Sequence, residues 1–263
     1  MKVKVSKIIA VHSYKGGTGK TLLSVNLAAT FAKHGKKVCL FDLDFRAPSL
    51  STIFKVENAE CWLNDYLNGT CEINKVLIDL NSRTYGNGKF FVCLANPATE
   101  AIREMSAKDR KWEMRALGRL LSLRNTLLND KEFDYLIFDT SPGLQYSSIN
   151  AIVTADLVVV ATTSDRSDVD GTRRMLHELY SLFEKKTGLV LNKVLDSASK
   201  SKKEEMYNKV KAIYQVPMLG LVPCFCEILR AEGNLIFVQD KPDHPFTKIV
   251  DEIAKKIESD EVN

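Results

Sequence analysis

Short apolar runs rich in β-branched residues recur along the chain at 8–11, 38–41, 90–94, 135–138, 157–162, 189–191 and 219–222, separated by longer segments of helical period. Continuous runs such as Leu157-Val158-Val159-Val160 suit strands covered on both faces, whereas a half-exposed strand would alternate with polar residues. The alternation of strand and helix predicts an α/β fold, a doubly wound and mostly parallel sheet with helices on both faces. Residues 20–33 read as a helix closed by Gly35, with Lys33, Lys36 and Lys37 near its C-terminal end. The segments 100–129 and 169–186 are the longest further helical candidates. No internal repeat is present, and 197–203 is a short low-complexity stretch expected to be a loop after a strand. One domain over 1–263 is the simplest organisation.

Composition narrows the class without choosing a partner. With 45% hydrophobic and 27% charged residues, disorder, collagen and coiled coil are excluded. A formal charge of +4, from 37 Lys and Arg against 33 Asp and Glu, is too small for this length to imply nucleic acid by itself. The stretches without charge at 21–32 and 140–155 fall short of the roughly 18 apolar residues of a spanning helix. The apolar run 8–11 is too short for a secretory segment, so a cytoplasmic protein is expected. Six cysteines at irregular spacing, mostly inside apolar runs, read as free buried thiols of a reducing compartment.

The chemistry begins where the first strand ends, at Lys15-Gly16-Gly17-Thr18-Gly19-Lys20-Thr21, directly before the first helical run. Phosphate binding needs consecutive inward N–H groups, glycines that let the backbone approach, and a helix N-terminus whose dipole favours anions. All three are present. The string departs from the common G-x-x-x-x-G-K-[ST] pattern because Tyr14 and Lys15 stand in it. Two lysines five residues apart around Gly-Gly-Thr-Gly resemble the deviant phosphate loop of the MinD/ParA family of P-loop ATPases, closer to its MinD-like members. The resemblance extends over nearly the whole chain: Phe41-Asp42-Leu43-Asp44 closes the second strand, 135–143 resembles the Walker B strand and switch, Leu191-Asn192-Lys193 follows a later strand, and 219–223 resembles the segment beside the base.

This resemblance implies an ATP hydrolase that uses ATP and Mg²⁺. Backbone groups of Gly16, Gly17, Thr18, Gly19, Lys20 and Thr21 would cradle the phosphates, and Lys20 would offset charge on the β and γ groups. The Thr21 hydroxyl and Asp139 would serve Mg²⁺. Asp44 would align the attacking water, with Asp42 orienting the loop; two aspartates two apart project to one side of a strand. Lys15 would reach the partner's nucleotide in an ATP-dependent homodimer that sandwiches two nucleotides, and a partner protein would quicken hydrolysis. Asn192 and Pro223 would lie beside the adenine. Such a dimer is a switch for spatial positioning in cell division or partitioning. Leu22 stands where the family has a second hydroxyl, which predicts weaker affinity.

Two alternatives arise from other strings. Residues 42–48 resemble the D-x-D-x-R-x-P string of bacterial tyrosine kinases, although those kinases lack the Lys15 type of lysine and end in a tyrosine cluster that 258–263 does not contain. Cys224-Phe225-Cys226 invites a metal or iron-sulfur delivery function, with two cysteines per subunit making a four-thiolate site across a dimer; buried structural thiols are the simpler expectation. The four histidines show no ligand spacing. Membrane contact is conceivable through the apolar stripe Phe246, Ile249, Val250, Ile253 and Ile257, yet from Lys248 onward three lysines face five acids and anionic lipid would be repelled. Packing of that helix on the sheet is expected instead. Nucleic acid is conceivable through Lys108, Lys111, Arg115 and Arg119, but over 100–131 eight basic residues oppose five acids, and a solvated helix face fits better.

Overall fold

The structure, a computed structural model, describes residues 6–81, 86–195 and 200–260. Within them, β1 (Lys7–His12), β2 (Lys37–Leu43), β3 (Ile78–Asp79), β4 (Lys89–Cys93), β5 (Tyr135–Thr140), β6 (Leu157–Thr162), β7 (Lys186–Val194) and β8 (Met218–Pro223) form a sheet of order β3-β4-β2-β5-β1-β6-β7-β8. All neighbours are parallel except β3, an antiparallel edge to β4. The seven apolar runs are all strands. The largest boundary difference is at β7, which covers 186–194 where 189–191 is apolar. Only two residues long and half exposed, β3 has no apolar run to announce it.

Burial explains why these runs read as continuous. In β1, Ile9 and Val11 face one layer, with the Lys20–Lys33 and Pro245–Glu258 helices, while Ile8 and Ala10 face the other. Beyond β1 that second layer continues over β6 and β7, where Val158, Val160, Leu189 and Leu191 pack under the Arg166–Met175 and Lys200–Tyr214 helices. Both faces of each central strand are thus dry. The Lys20–Lys33 helix has the predicted bounds, and Gly35 ends it at φ +81° with its N–H on the Ala32 carbonyl.

The long helical candidates are interrupted for local reasons. In 100–129, one helix ends at Ser106, whose hydroxyl bonds the Ile102 carbonyl, and Asp109 starts another by capping the Trp112 N–H at 2.8 Å. That second helix, Arg110–Leu123, runs on as a wider turn over Arg124–Asn129. The 169–186 candidate begins earlier, at an Asp165 cap, and its last residue belongs to β7. A helix occupies Lys200–Tyr214, so the expected loop over 197–203 is helical from Lys200 onward, and 197–199 lie outside the described residues.

Two surface expectations are resolved by packing. On the Pro245–Glu258 helix, Phe246, Val250, Ile253 and Ile257 are buried against the core and Ile249 is partly buried there, so this apolar stripe is spent inside the protein. No helix among the described residues is long and apolar enough to cross a membrane. Half of the basic stripe is also committed: Lys108 pairs with Glu104 at 2.6 Å and lies over the Trp112 ring, and Arg119 lies over the Tyr66 ring. Lys111 and Arg115 remain exposed.

Candidate phosphate site

Central strand β1, flanked by β5 and β6, delivers the loop 13–19 to the C-terminal edge of the sheet, and the Lys20–Lys33 helix starts directly after it. This is the place where an open α/β sheet forms its crevice. Gly17 and Gly19 adopt φ of +77° and +95°, the left-handed region that turns successive N–H groups to one side. At Gly19 a second constraint acts, because an added Cβ would collide with the Asn192 amide nitrogen. That amide donates to the Thr18 carbonyl at 2.7 Å, and its oxygen accepts the Lys193 N–H at 2.8 Å. Asn192 is therefore placed as a prop of the loop from β7. Thr18 Oγ1 is buried with no hydrogen-bond partner.

Burial holds Lys20, Asp139 and Asp42 away from their ordinary states. Lys20 is 7% exposed, and burial lowers its pKa against the opposing pull of Asp139, Asp44 and Asp168. Asp139, at the end of β5, is buried, and desolvation pushes it up to about 6 although Thr21 and Ser24 hydroxyls donate to it, Ser24 at 2.9 Å. Beside it in register on β2 lies Asp42, raised well above the carboxylate range by burial and then by Asp139 itself. Asp42 accepts the N–H groups of Asp44 and Leu50, both at 3.2 Å. Asp44 is partly exposed just beyond the strand, where Ser141 Oγ donates to Oδ1 at 3.1 Å and the Ala47 N–H at 3.2 Å.

Lys15 turns the other way. Its side chain is half exposed, and Nζ contacts Asp165 Oδ1 at 3.2 Å and Ser167 Oγ at 2.9 Å in the first turn of the Arg166–Met175 helix. The Ser167 hydroxyl and then Lys15 hold Asp165 down to about 2. Lys15 and Lys20 thus flank one loop with opposite orientations, one outward and one buried. The remaining predicted positions fall nearby: Leu22 packs on the core in place of a hydroxyl, and Pro223 ends β8 beside Val194 of β7, the strand that carries Asn192.

His12, assigned no role by its sequence spacing, belongs to this site. It is buried, and Nε2 lies 3.0 Å from the Gly143 carbonyl, an acceptor, so Nε2 carries the proton and the buried Nδ1 is bare. Burial and then Lys20 lower its pKa to about 3. With the Gly143 N–H on the Ser13 carbonyl at 2.9 Å, two bonds clip the end of the β5 segment to the base of the loop. A polar residue closing an apolar strand was the available signal. The Cys224-Phe225-Cys226 expectation is corrected: both cysteines are exposed thiols. Among the described residues no group of three or more His, Cys, Asp or Glu is arranged to hold a metal ion.

These residues fit a polyphosphate with a divalent cation. The cradle supplies inward amides, a buried hydroxyl without a partner and a buried ammonium, and the carboxylate and hydroxyl of Asp139 and Thr21 are hard oxygen donors side by side. A family model described as an AAA domain matches residues 6–196. The chain is 28% identical over 251 residues to an uncharacterized ATP-binding protein of Methanocaldococcus jannaschii, covering 95% of this chain and 86% of that one. It is 26% identical over 261 residues to the septum site-determining protein MinD of Synechocystis sp., covering 98% and 91%. Among solved structures, MinD of Pyrococcus horikoshii OT3 complexed with Mg-ADP superimposes with a TM-score of 0.75 over 96% of both chains at 21% identity.

Proposed function

The chain belongs to the AAA domain family and is a P-loop ATPase of the MinD/ParA type, and from that premise we propose that it works as an ATP-dependent dimerisation switch. ATP closes two subunits face to face, hydrolysis to ADP and phosphate reopens them, and the product is a change of state that positions or partitions a cargo. The observation that carries this proposal is the opposite disposition of the two lysines, Lys20 buried under the loop and Lys15 half exposed at its mouth. A lysine that leans outward can exchange its exposed contacts with Asp165 and Ser167 for a second copy's nucleotide.

In this scheme the amides from Gly16 to Thr21 bind the phosphates and Lys20 lies against the β and γ groups. Thr21 and Asp139 would hold Mg²⁺, which when bound neutralises phosphate charge. Asp44, fixed by Ser141 and Ala47, aligns a water on the γ-phosphorus; its oxygen forms the new P–O bond as the bond to the ADP oxygen breaks. Lys15 of the second copy adds positive charge to the phosphoryl oxygens as that charge develops. Asn192 acts first on the loop; in this reading it also lies beside the base together with Pro223, which pairs with Val194 two positions further along β7. A partner protein that quickens hydrolysis completes the cycle.

Sedimentation with ATP, ADP or no nucleotide tests the scheme. Lys20→Ala should weaken nucleotide binding about 10- to 100-fold, from ~1.5–3 kcal/mol per charge-assisted bond. Lys15→Ala should bind ADP normally and fail to dimerise with ATP, and Asp44→Ala should accumulate as a dimer. An Asp44→Ala protein that stays wholly monomeric with ATP refutes the switch.

A further inference from the structure

Tyr14 occupies a place in the loop where the common pattern offers no reason for a large ring. Its side chain is partly buried against the layer formed by Ile152, Val158, Val160, Met175 and Leu176. Opposite it, Gly171 sits inside the Arg166–Met175 helix, a position where glycine weakens a helix relative to alanine. Gly171 does not have a left-handed backbone, so no turn demands a glycine there. What demands it is the ring: a Cβ at Gly171 would collide with Cδ1, Cε1 and Cζ of Tyr14.

The next residue grips the same helix. Lys15 Nζ contacts Asp165 and Ser167, and Asp165 lies six positions before Gly171, about 9 Å along the axis at the usual rise. Consecutive loop residues are therefore attached to one helix at two separate points. The phosphate-facing part of the loop is supported elsewhere, by Asn192 under Thr18. Gly143 holds the loop base through the Ser13 carbonyl.

We infer that Tyr14 is a positioning residue whose ring, seated in the notch at Gly171, fixes the mouth of the loop on the Arg166–Met175 helix and so sets where Lys15 can reach. The inference deepens the proposed switch and rests on it for the role of Lys15; the ring-in-notch anchor stands on the packing alone. Disturbing the anchor then impairs the step that needs Lys15 across the dimer and spares nucleotide binding within one subunit.

Five proteins test this: wild type, Tyr14→Phe, Tyr14→Ala, Gly171→Ala and the Tyr14→Ala/Gly171→Ala double variant. Thermal melting without nucleotide reads the anchor independently of function. Gly171→Ala should lower the melting temperature in the wild-type background, where the methyl meets the ring, and raise it in the Tyr14→Ala background, where only helix propensity remains. ATP titrations followed by sedimentation read the function. Gly171→Ala should need about tenfold more ATP to dimerise, in line with the cost of misplacing a reacting group by a fraction of an ångström to an ångström, with ADP affinity within about twofold of wild type. Tyr14→Phe should match wild type, because the ring and not the hydroxyl fills the notch. The inference is overturned if Gly171→Ala raises the melting temperature in both backgrounds, or if ADP affinity falls in step with dimerisation. Absence of any ATP-induced dimer in the wild type refutes the switch instead, and the sign reversal in melting still decides the anchor.

Discussion

The buried imidazole of His12 makes acid sensitivity a quantitative prediction. Nε2 donates its proton to the Gly143 carbonyl, leaving Nδ1 buried and bare, so a second proton would sit as an N–H with no acceptor close to the Lys20 charge. The folded-state pKa near 3 lies below the ordinary 6.5 of the unfolded chain. Depression of this kind leaves stability intact above pH 6.5; as pH falls the unfolded chain takes up a proton the native state refuses, and stability drains away until about pH 3. The shift corresponds to about 2 kcal/mol lost at pH 5 and about 4 kcal/mol at pH 3. Carboxylates such as Asp139, raised to about 6, act in the opposite sense over part of this range, so the wild-type curve alone does not isolate His12. His12→Gln does, because a neutral amide can still donate to Gly143. Urea melts of both proteins from pH 7.5 to 4.5 should show similar stability at pH 7.5 and a wild-type deficit that grows to about 2 kcal/mol at pH 5. Parallel curves over that range would refute the assignment of a neutral, desolvated His12.

Two further substitutions probe the charges at the loop. Asp139→Asn keeps the acceptor for Ser24 and removes a carboxylate that is ionised at pH 7.5 despite being pushed up to about 6, so the nucleotide-free protein should gain on the order of 3 kcal/mol and melt several degrees higher. The same variant should lose the stabilisation that Mg²⁺ with ADP gives the wild type, and a variant that melts lower without nucleotide would contradict the burial argument. Asp165→Asn keeps the helix cap and loses the charge that holds Lys15, so ATP-induced dimerisation should occur at lower ATP; a requirement for more ATP would show that Asp165 assists closure.

Much of this architecture is legible from the sequence because both faces of each central strand are dry. A strand such as β6, with all six residues buried, can be read from its composition alone, and the helix after the loop is bounded by Gly19 and Gly35, whose left-handed backbones leave a mark in the residue types. The phosphate loop is legible for the same reason, since Gly17 and Gly19 are dictated by local geometry. Contacts between distant residues are not. The break at Asp109 depends on a cap that competes with strong helix propensity, and β3 is a two-residue pairing of Ile78 with Val92 and Asp79 with Phe91, extended by the bonds of Leu80 and Asn81 to Phe90 on β4. His12, Gly171 and Asn192 owe their roles to partners 131, 157 and 174 positions away, none of which shows in a local pattern. Cys224 and Cys226 sit in a run that continues an apolar strand, yet the strand ends at Pro223 and both thiols emerge into solvent.

The geometry also separates three aspartates that their spacing alone leaves equivalent. Asp42 and Asp139 lie side by side on neighbouring strands, both raised by burial, Asp42 further by Asp139 and Asp139 further by Asp44, an arrangement that costs stability unless a cation or a set of donors compensates. Asp42 is compensated by backbone: its two oxygens take the N–H groups of Asp44 and Leu50, fixing the segment that carries Asp44. Asp139 is compensated by hydroxyls of Thr21 and Ser24, donors that can rotate away, and its carboxylate shares a hydrogen bond with the very threonine proposed to serve the metal. Asp44 is the member of the three with water within reach, since it lies past the strand end, partly exposed, with the Ser141 hydroxyl setting its orientation. A backbone-bound carboxylate suits a frame, a hydroxyl-bound buried one suits a cation site, and a partly exposed one suits the alignment of water. That division supports Asp42 as the support of the loop, Asp139 as the metal residue whose burial cost a divalent cation would relieve, and Asp44 as the residue that aligns the nucleophile.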